Sequence, residues 1–524
     1  DPRPAIGRLT SANTLGGALG AALAGLVLLP RLGMETSLFV LAAGYALLTL
    51  LFVEPRSGRR SWLPAAAAAG AVAFFPFGLM QSHLSQASQV FRALDGSTVA
   101  RVTEGPVTTL QVLRSERFGE SLVWRLVTDS YSMSGTHRSS LRYMQLFAWL
   151  PLALHPAPRR ALLISYGAGN TAQALLDEPS LLQLTIVDTS PEILDASRLL
   201  HADRDPLRDP RVRLVLEDGR HYLLSQDEPF DIITGEPPPP DIAGVVNLYT
   251  SEYFAALARR LVPGGLATYW LPVNQFEPRG ARAVIAAWCA AFPDCSLWAG
   301  STYNWVLLGG RGFANRPDLA HFARLWENPA AAPRVAASGF EHPAQLGATF
   351  LADAGQLHAW IDGTPMLTDD YPKRIAAPPP PRQSLEEYSR WLKPEGASRR
   401  FTTSRWIERH WPQSLREQSL QFFSVQPIVN GQVGGEPAKQ LPLVDWLLRS
   451  TQLQVPVYWL LGSDIAEQRI LEKLPHQREH AYARGVRALA ERDYARAVPY
   501  FVEAGDRALA EYATCRAASA QSPC

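Results

Sequence analysis

RALLISYGAGN, Arg160 to Asn170, is the stretch whose reading decides the fold. Arg160 to Tyr166 is a compact apolar run, the pattern of a parallel strand buried on both faces. It ends in Gly167-Ala168-Gly169-Asn170, and Thr171 to Leu176 reads as a helix. Glycines at such a bend let the backbone turn sharply and approach a ligand where a side chain would collide. G-x-G alone is weak evidence, and its weight comes from the strands and acids spaced at fixed intervals beyond it.

Downstream, the second strand, Leu184 to Val187, ends at Asp188, about twenty residues past the bend, where a carboxylate in a Rossmann unit accepts both ribose hydroxyls. A third strand, Val212 to Leu216, ends in Glu217-Asp218-Gly219, and a fourth, Phe230 to Thr234, in Gly235-Glu236. Successive strands thus carry an acid at their carboxyl ends, the edge of an open α/β sheet where ligands bind. Any one of these acids alone would read as a solvated loop residue or a helix cap. Pro263-Gly264-Gly265 then separates a helix, Tyr253 to Leu261, from the apolar run Leu266 to Leu271. The Rossmann part is placed at 141–310, opening with a helix from Leu141 to His155.

On the N-terminal side, Val107 to Thr128 holds two β-rich runs around a Glu-Arg-Phe-Gly-Glu turn, a small β subdomain at 100–135. Before it lie LGGALGAALAGLVLLP (Leu15–Pro30), SLFVLAAGYALLTLLFV (Ser37–Val53) and LPAAAAAGAVAFFPFGLM (Leu63–Met80), with no charged side chain in any. Each approaches the length that crosses a bilayer as a helix, and Gly16, Gly17, Gly20 and Gly25 suit close helix packing in lipid. Residues 1–82 are therefore expected to be transmembrane helices, the end of a larger membrane region, with buried soluble helices as the alternative. This places the chain in a membrane as a multi-pass protein in contact with lipid. Arg56, Arg59 and Arg60 make the second connection basic and, by the positive-inside rule, cytoplasmic.

The net charge of +1 and the lack of a Lys/Arg run argue against nucleic acid as a partner. Cys289, Cys295, Cys515 and Cys524 show no C-x-x-C spacing, so no metal site is expected; their even number permits disulfides, with free buried thiols the plainer reading. His137 and His221 receive no role, because sequence alone supplies no acid or geometry to make either a base.

The ordered set GRLTSANTLGGALG (Gly7–Gly20), the glycine bend, IVDTSPEILDASR (Ile186–Arg198), DPRVRLVLEDGRHYL (Asp209–Leu223), FDIITGEPPPPDIAGVVNLYTSEYF (Phe230–Phe254), LVPGGLATYWLP (Leu261–Pro272) and LTDDYP (Leu367–Pro372) resembles the spermidine synthases, especially the membrane-fused spermidine synthase-like proteins of bacteria. The resemblance implies a synthase-like, SAM-binding (methyltransferase-like) domain over 100–375, and makes the expected membrane the bacterial inner membrane. It implies that Gly167 and Gly169 line the nucleoside, Asp188 holds the ribose, and Asp218 with Gly219 lies by the adenine. Glu236 would stand at the family's catalytic aspartate, and Tyr143, Asp241 and Tyr249 would contact the amine substrate. The implied reaction is aminopropyl transfer to an amine or polyamine from decarboxylated S-adenosylmethionine or S-adenosylmethionine itself. Two departures bear on it: Ala168 stands where the family has an aspartate that pairs with the donor's amine, and Glu236 is followed by four prolines, Pro237 to Pro240. S-adenosylmethionine-dependent methyl transfer and a non-catalytic membrane-anchored nucleoside-binding scaffold are the competing readings.

Ala376 to Pro381 (AAPPPP) reads as a stiff linker, with a mostly helical C-terminal region over 383–524. Within it 482–513 resembles a tetratricopeptide hairpin: Gly485, Ala488, Tyr494, Ala497, Phe501 and Ala504 fall at helix-packing intervals. One such unit cannot bury its own face, so these helices are a candidate protein contact.

Overall fold

The computed structural model describes residues 3–51, 63–105, 107–117, 120–129, 131–240, 242, 244–340, 342–371, 382–423, 481, 484–485, 488 and 493–518. They fall into two compact units, Asp1–Gly135 with Ser190–Ala196, and Thr136–Thr189 with Ser197–Cys524.

In the first unit, helices Arg3–Leu23 and Leu29–Leu51 run together through a π-helical turn, Ala24–Leu28, with a non-helical residue at Gly33 (φ 73°, ψ 175°). Among the described residues one helix, Ala5–Thr49, is long and apolar enough to cross a membrane, with a mean hydropathy of 1.7. The multi-pass expectation is therefore not supported. The described parts of the first two segments lie on either side of Gly33 in this run, and the third contains an 11-residue helix, Leu63–Ala73. At 1.5 Å per residue that helix covers about half of a ~30 Å hydrocarbon core. The next helix, Leu79–Asp95, starts on a carboxylate: Gly78 N and Met80 N donate to Glu35 at 2.9 and 2.5 Å. Four antiparallel strands come next in sequence order, β1 (Thr98–Glu104), β2 (Thr109–Arg117), β3 (Glu120–Thr128) and β4 (Tyr131–Gly135).

The second unit is built on an eight-stranded sheet. Its strands are β5 (Arg160–Ile164), β6 (Gln183–Asp188), β7 (Val212–Leu216), β8 (Phe230–Gly235), β9 (Leu261–Pro272), β10 (Ser296–Ser301), β11 (Asn304–Gly310) and β12 (Phe350–Asp353), in the order β12-β10-β11-β9-β8-β5-β6-β7. β5 to β9 pair in parallel, and β10 to β12 extend the sheet antiparallel. This is a Rossmann-like α/β domain. β5 has β6 on one side and β8 on the other, so strand order reverses around it and opens a crevice at the strands' carboxyl ends. Ala161, Leu162 and Leu163 are fully buried, as the apolar run requires.

The chain after β12 completes the same core. Helix Arg382–Trp391 places Tyr388 and Leu392 in the hydrophobic cluster that includes Trp288 and Trp305. Helices Pro394–Thr403 and Gln413–Phe423 bracket Trp411, whose ring lies 5.6 Å from Trp298 and 4.7 Å from Phe322. The expected linker at Ala376 to Pro381 lies outside the described residues, while beyond it helix Pro394–Thr403 packs on β12 and helices Tyr494–Ala504 and Arg507–Ala518 pack on each other.

Cys289 and Cys295 form a disulfide, correcting the free-thiol reading. The turn after helix Pro278–Ala291 (Cys295 N donates to Phe292 O, 2.9 Å) brings their Cα atoms to 5.3 Å. Cys515 is disulfide-bonded as well. Of the 482–513 segment, most of the first helix lies outside the described residues. Helices Tyr494–Ala504 and Arg507–Ala518 pair across Gly505 (φ 76°), and a methyl group at Gly485 would meet the Phe501 ring at 2.8 Å.

Candidate active site

The bend after β5 is wound tightly. Ser165 (φ 70°), Gly167 (φ 54°) and Gly169 (φ 78°) all have positive φ, a conformation that costs an L side chain energy and concentrates at functional sites. Space forbids a side chain at Gly169 too, since a Cβ would sit 2.4 Å from the Tyr166 Oη. That hydroxyl lies 2.6 Å from Ser197 Oγ, which donates to Asp205 at 2.6 Å, and His201 Nε2 lies 2.6 Å from the Ala168 carbonyl. The bend is thus held from behind by a buried polar chain.

Asp188, buried at the end of β6, faces the bend: its Oδ2 accepts from Tyr166 N at 2.7 Å. Asp218 is the N-cap of helix Gly219–Ser225 and accepts from His221 N at 2.8 Å. One carboxylate oxygen therefore serves the helix start. Gly219 is required by packing, because a Cβ there would come 2.5 Å from the Ile164 Cγ2 at the tip of β5. His221 pairs with Glu217 on an exposed helix turn, and His137 lies 3.0 Å from Ser139 Oγ.

Glu236 comes directly after β8, and its amide donates to Ile164 O at 3.1 Å, which fixes it beside the bend. Its Oε1 meets the hydroxyl of Thr171, and that hydroxyl also lies 2.8 Å from the Met144 carbonyl. Loss of hydration pushes the Glu236 carboxyl up to about 8, only partly opposed by the Thr171 contact. Tyr143, buried and stacked on Trp270 (6.0 Å between centroids, 11° between planes), has its phenol raised well above its usual range by burial and by the Glu236 charge. So Tyr143, Met144, Thr171 and Glu236 meet at one end of the crevice, with Asp188 and the bend beside them.

Tyr249 is fully buried, and its Oη donates to the carbonyls of Pro238 (3.2 Å) and Pro237 (3.4 Å). Lacking N–H groups, the prolines offer only carbonyls, and Tyr249 clamps them. Asp241 lies outside the described residues. Among those described, no three His, Cys, Asp or Glu side chains gather as a metal would need.

Residues 140–271 match the family described as Spermine/spermidine synthase domain. That segment of the chain is similar to the spermine/spermidine synthase domain. It is similar to the polyamine aminopropyltransferase of Bacillus subtilis (27% identical over 158 residues, 30% of this chain and 55% of the relative). It is similar also to the spermidine synthase of Dictyostelium discoideum (28% over 172 residues, 32% and 58%). The polyamine aminopropyltransferase of Mycobacterium tuberculosis H37Rv aligns further, 27% identical over 278 residues, half of each chain. The chain spans about half to three-fifths of the length of these curated relatives. The crystal structure of Thermotoga maritima spermidine synthase superposes on 41% of this chain and 73% of its own, at 19% identity and a TM-score of 0.36.

Within residues 140–271, reading the sequence alone misses Thr171, Trp270 and the Tyr166–Ser197–Asp205 chain. Thr171 carries a signal that could have found it, a hydroxyl in the first helical turn after the bend, where side chains point toward the mouth. Ser197 and Asp205 carry none, because only the tertiary fold brings them behind the bend.

Proposed function

We propose that the synthase domain transfers an aminopropyl group from decarboxylated S-adenosylmethionine to an amine, with Glu236 as the group that receives the amine's proton. The observation that supports this most is the placing of Glu236 beside the glycine bend and Asp188, at the sheet's reversal point, within the segment that matches the family. In the proposed step the amine nitrogen's lone pair attacks the methylene next to the sulfonium. The C–N bond forms, the C–S bond breaks with its electron pair going to sulfur, and methylthioadenosine leaves as a neutral thioether. The nitrogen's proton passes to the Glu236 carboxylate, which must therefore be ionised at that moment. Asp188 would hold the ribose while Gly167 and Gly169 let the nucleoside lie against the backbone, with Asp218 and Gly219 at the adenine end. Tyr143 would wall the acceptor. Glu236 supplies the carboxylate that a spectator nucleoside site would not need at this position. We place the domain at a membrane through the apolar helix Ala5–Thr49.

The test is product analysis on the full chain with decarboxylated S-adenosylmethionine and a panel of amines. Methylthioadenosine should be released, and Glu236→Gln should lower turnover at least a hundredfold while nucleoside affinity stays within about twofold. S-adenosylhomocysteine from S-adenosylmethionine would mean methyl transfer instead, and nucleoside binding without either product would mean a scaffold.

A further inference from the structure

Asn247, Leu248 and Tyr249, which follow the proline run, are each held by a different side-chain donor. Tyr269 Oη donates to Leu248 O at 2.6 Å, and Tyr249 Oη reaches back to the carbonyls of Pro238 and Pro237, the residues that follow Glu236. Asn247 O accepts from Nη1 of Arg220 at 2.7 Å. Thr250 Oγ1 also lies 3.3 Å from that carbonyl, but its one proton has a nearer acceptor in Asp369 Oδ1 at 2.7 Å. The guanidinium is therefore the main donor to Asn247 O. Its Nη1 hydrogens serve Asn247 O and, at 2.8 Å, Asp369 Oδ1, while Nη2 donates to Asp369 Oδ2.

The backbone end of Arg220 is fixed as well. It follows Gly219, which packs on Ile164 at the tip of β5 with no room for a Cβ, in the first turn of helix Gly219–Ser225. Arg220 thus joins the strand tip beside the glycine bend to the turn Val246–Leu248, and Tyr249 joins that turn to the two residues next to Glu236. The four prolines lack the backbone donors that would tie such a segment to its neighbours, so it depends on side-chain donors aimed at carbonyls. Among Arg220, Tyr249 and Tyr269, Arg220 alone is a cation, and a charge-assisted hydrogen bond is roughly twice as strong as a neutral one.

We propose that Arg220 is a positioning residue: by holding Asn247 it sets the turn from which Tyr249 clamps Pro237 and Pro238, and so fixes the direction in which Glu236 faces the acceptor amine. This rests on the aminopropyl-transfer reading. Asp369 orients the guanidinium, and the bond to Asn247 O is the one that reaches the site.

The experiment compares wild type with Arg220→Ala, Asp369→Asn, Tyr249→Phe and the double variant Arg220→Ala/Tyr249→Phe in the full chain. Where Arg220→Ala fails to fold, Arg220→Met, which keeps an apolar stem and no donor, takes its place. Methylthioadenosine release at saturating amine gives kcat, and calorimetry gives nucleoside affinity. Hydrogen exchange is read in the peptide holding Leu248 and Tyr249, whose amides donate to Val245 O and Val246 O at 2.9 and 3.0 Å. Arg220→Ala should lower kcat about tenfold and leave nucleoside affinity within about twofold, since a misdirected carboxylate costs rate rather than binding. The Leu248–Tyr249 peptide should exchange about tenfold faster in that variant. Asp369→Asn keeps the Asn247 bond, so its kcat and exchange should stay within about twofold of wild type although its stability falls. Arg220 and Tyr249 act along one path, so the double variant should lose no more rate than the worse of the two single variants. An unchanged kcat in Arg220→Ala overturns the proposal, as does a multiplied loss in the double variant. An equal loss of kcat in Asp369→Asn overturns it too, by making the Arg220–Asp369 pair a stabilising contact alone. If wild type releases no methylthioadenosine with any amine, the transfer reading fails on its own, and the exchange of the Leu248–Tyr249 peptide still decides whether Arg220 holds the turn.

Discussion

Burial lifts the Glu236 carboxyl from its ordinary 4.5 to about 8, so between those values the folded chain keeps a proton that the unfolded chain has lost. By linkage, stability must then fall as pH rises through this window and level off above it. The sign is opposite to that of a salt-bridged acid. Glu236→Gln, which cannot ionise, should gain on wild type steadily from pH 4.5 to 8, reaching roughly 2 to 4 kcal/mol once partial exposure is allowed for. Denaturant unfolding of both proteins at the two ends of that range measures it, and parallel stability–pH curves would contradict it. The same substitution is expected to remove turnover, so this position exchanges stability for reactivity, as sites that need a buried acid commonly do.

The helix Gly219–Ser225 shows how an element outside the chemistry positions it. Arg220 on its first turn grips Asp369 through both guanidinium nitrogens, Thr250 Oγ1 adds a third contact at 2.7 Å, and Asp369 N donates to Glu252 at 3.1 Å. Asp369 thereby ties its segment to helices Gly219–Ser225 and Ser251–Arg260. Arg220 holds the Asp369 carboxyl below its usual range, so the pair stabilises the fold above that range and loses its effect as pH falls through the folded value. Asp369→Asn should cost about 1 to 2 kcal/mol at neutral pH and nothing in stronger acid, read as a difference in unfolding midpoint that closes on acidification. At this scale the strand–bend–helix order was legible, because Ala161 to Leu163 and the glycines are local signals. Asp188 and Glu236 were legible as acids at strand tips. The Asp218 cap was weighed as an alternative, since a cap and a ligand acid look alike before the helix start is seen. Tyr249 was read as a contact of the amine substrate, and the proline carbonyls it clamps become its partners only once the loop folds back. The gap between the first two apolar segments, Pro30 to Ser37, holds the non-helical Gly33. The disulfide escaped because spacing alone does not reveal the turn between Cys289 and Cys295.

Across the second unit, the sheet's far edge needs the chain beyond the proline-rich stretch. Tyr388 Oη donates to Phe276 O at 3.0 Å and its ring meets Trp305 at 5.5 Å, while Ser404 Oγ donates to Asp353 at 2.7 Å and Trp406 lies 5.6 Å from Trp298. Phe401 stands 5.9 Å from Phe350 on β12. A chain cut after Tyr371 would leave Trp298, Trp305 and Phe350 without these covers. Each lost aromatic contact is worth about 2 kcal/mol or more of burial, and together they approach the ~5–15 kcal/mol that holds a typical domain. Expression of the two truncations separates the alternatives: a chain ending at Phe423 should unfold cooperatively near the full chain's midpoint, whereas one ending at Tyr371 should bind a hydrophobic dye and show no cooperative transition. Equal midpoints would mean that the helices from Arg382 to Phe423 rest on a core that is complete without them. Loss of the transition would make them part of what holds β9, and with it Trp270 behind Tyr143, in place at the acceptor end of the site.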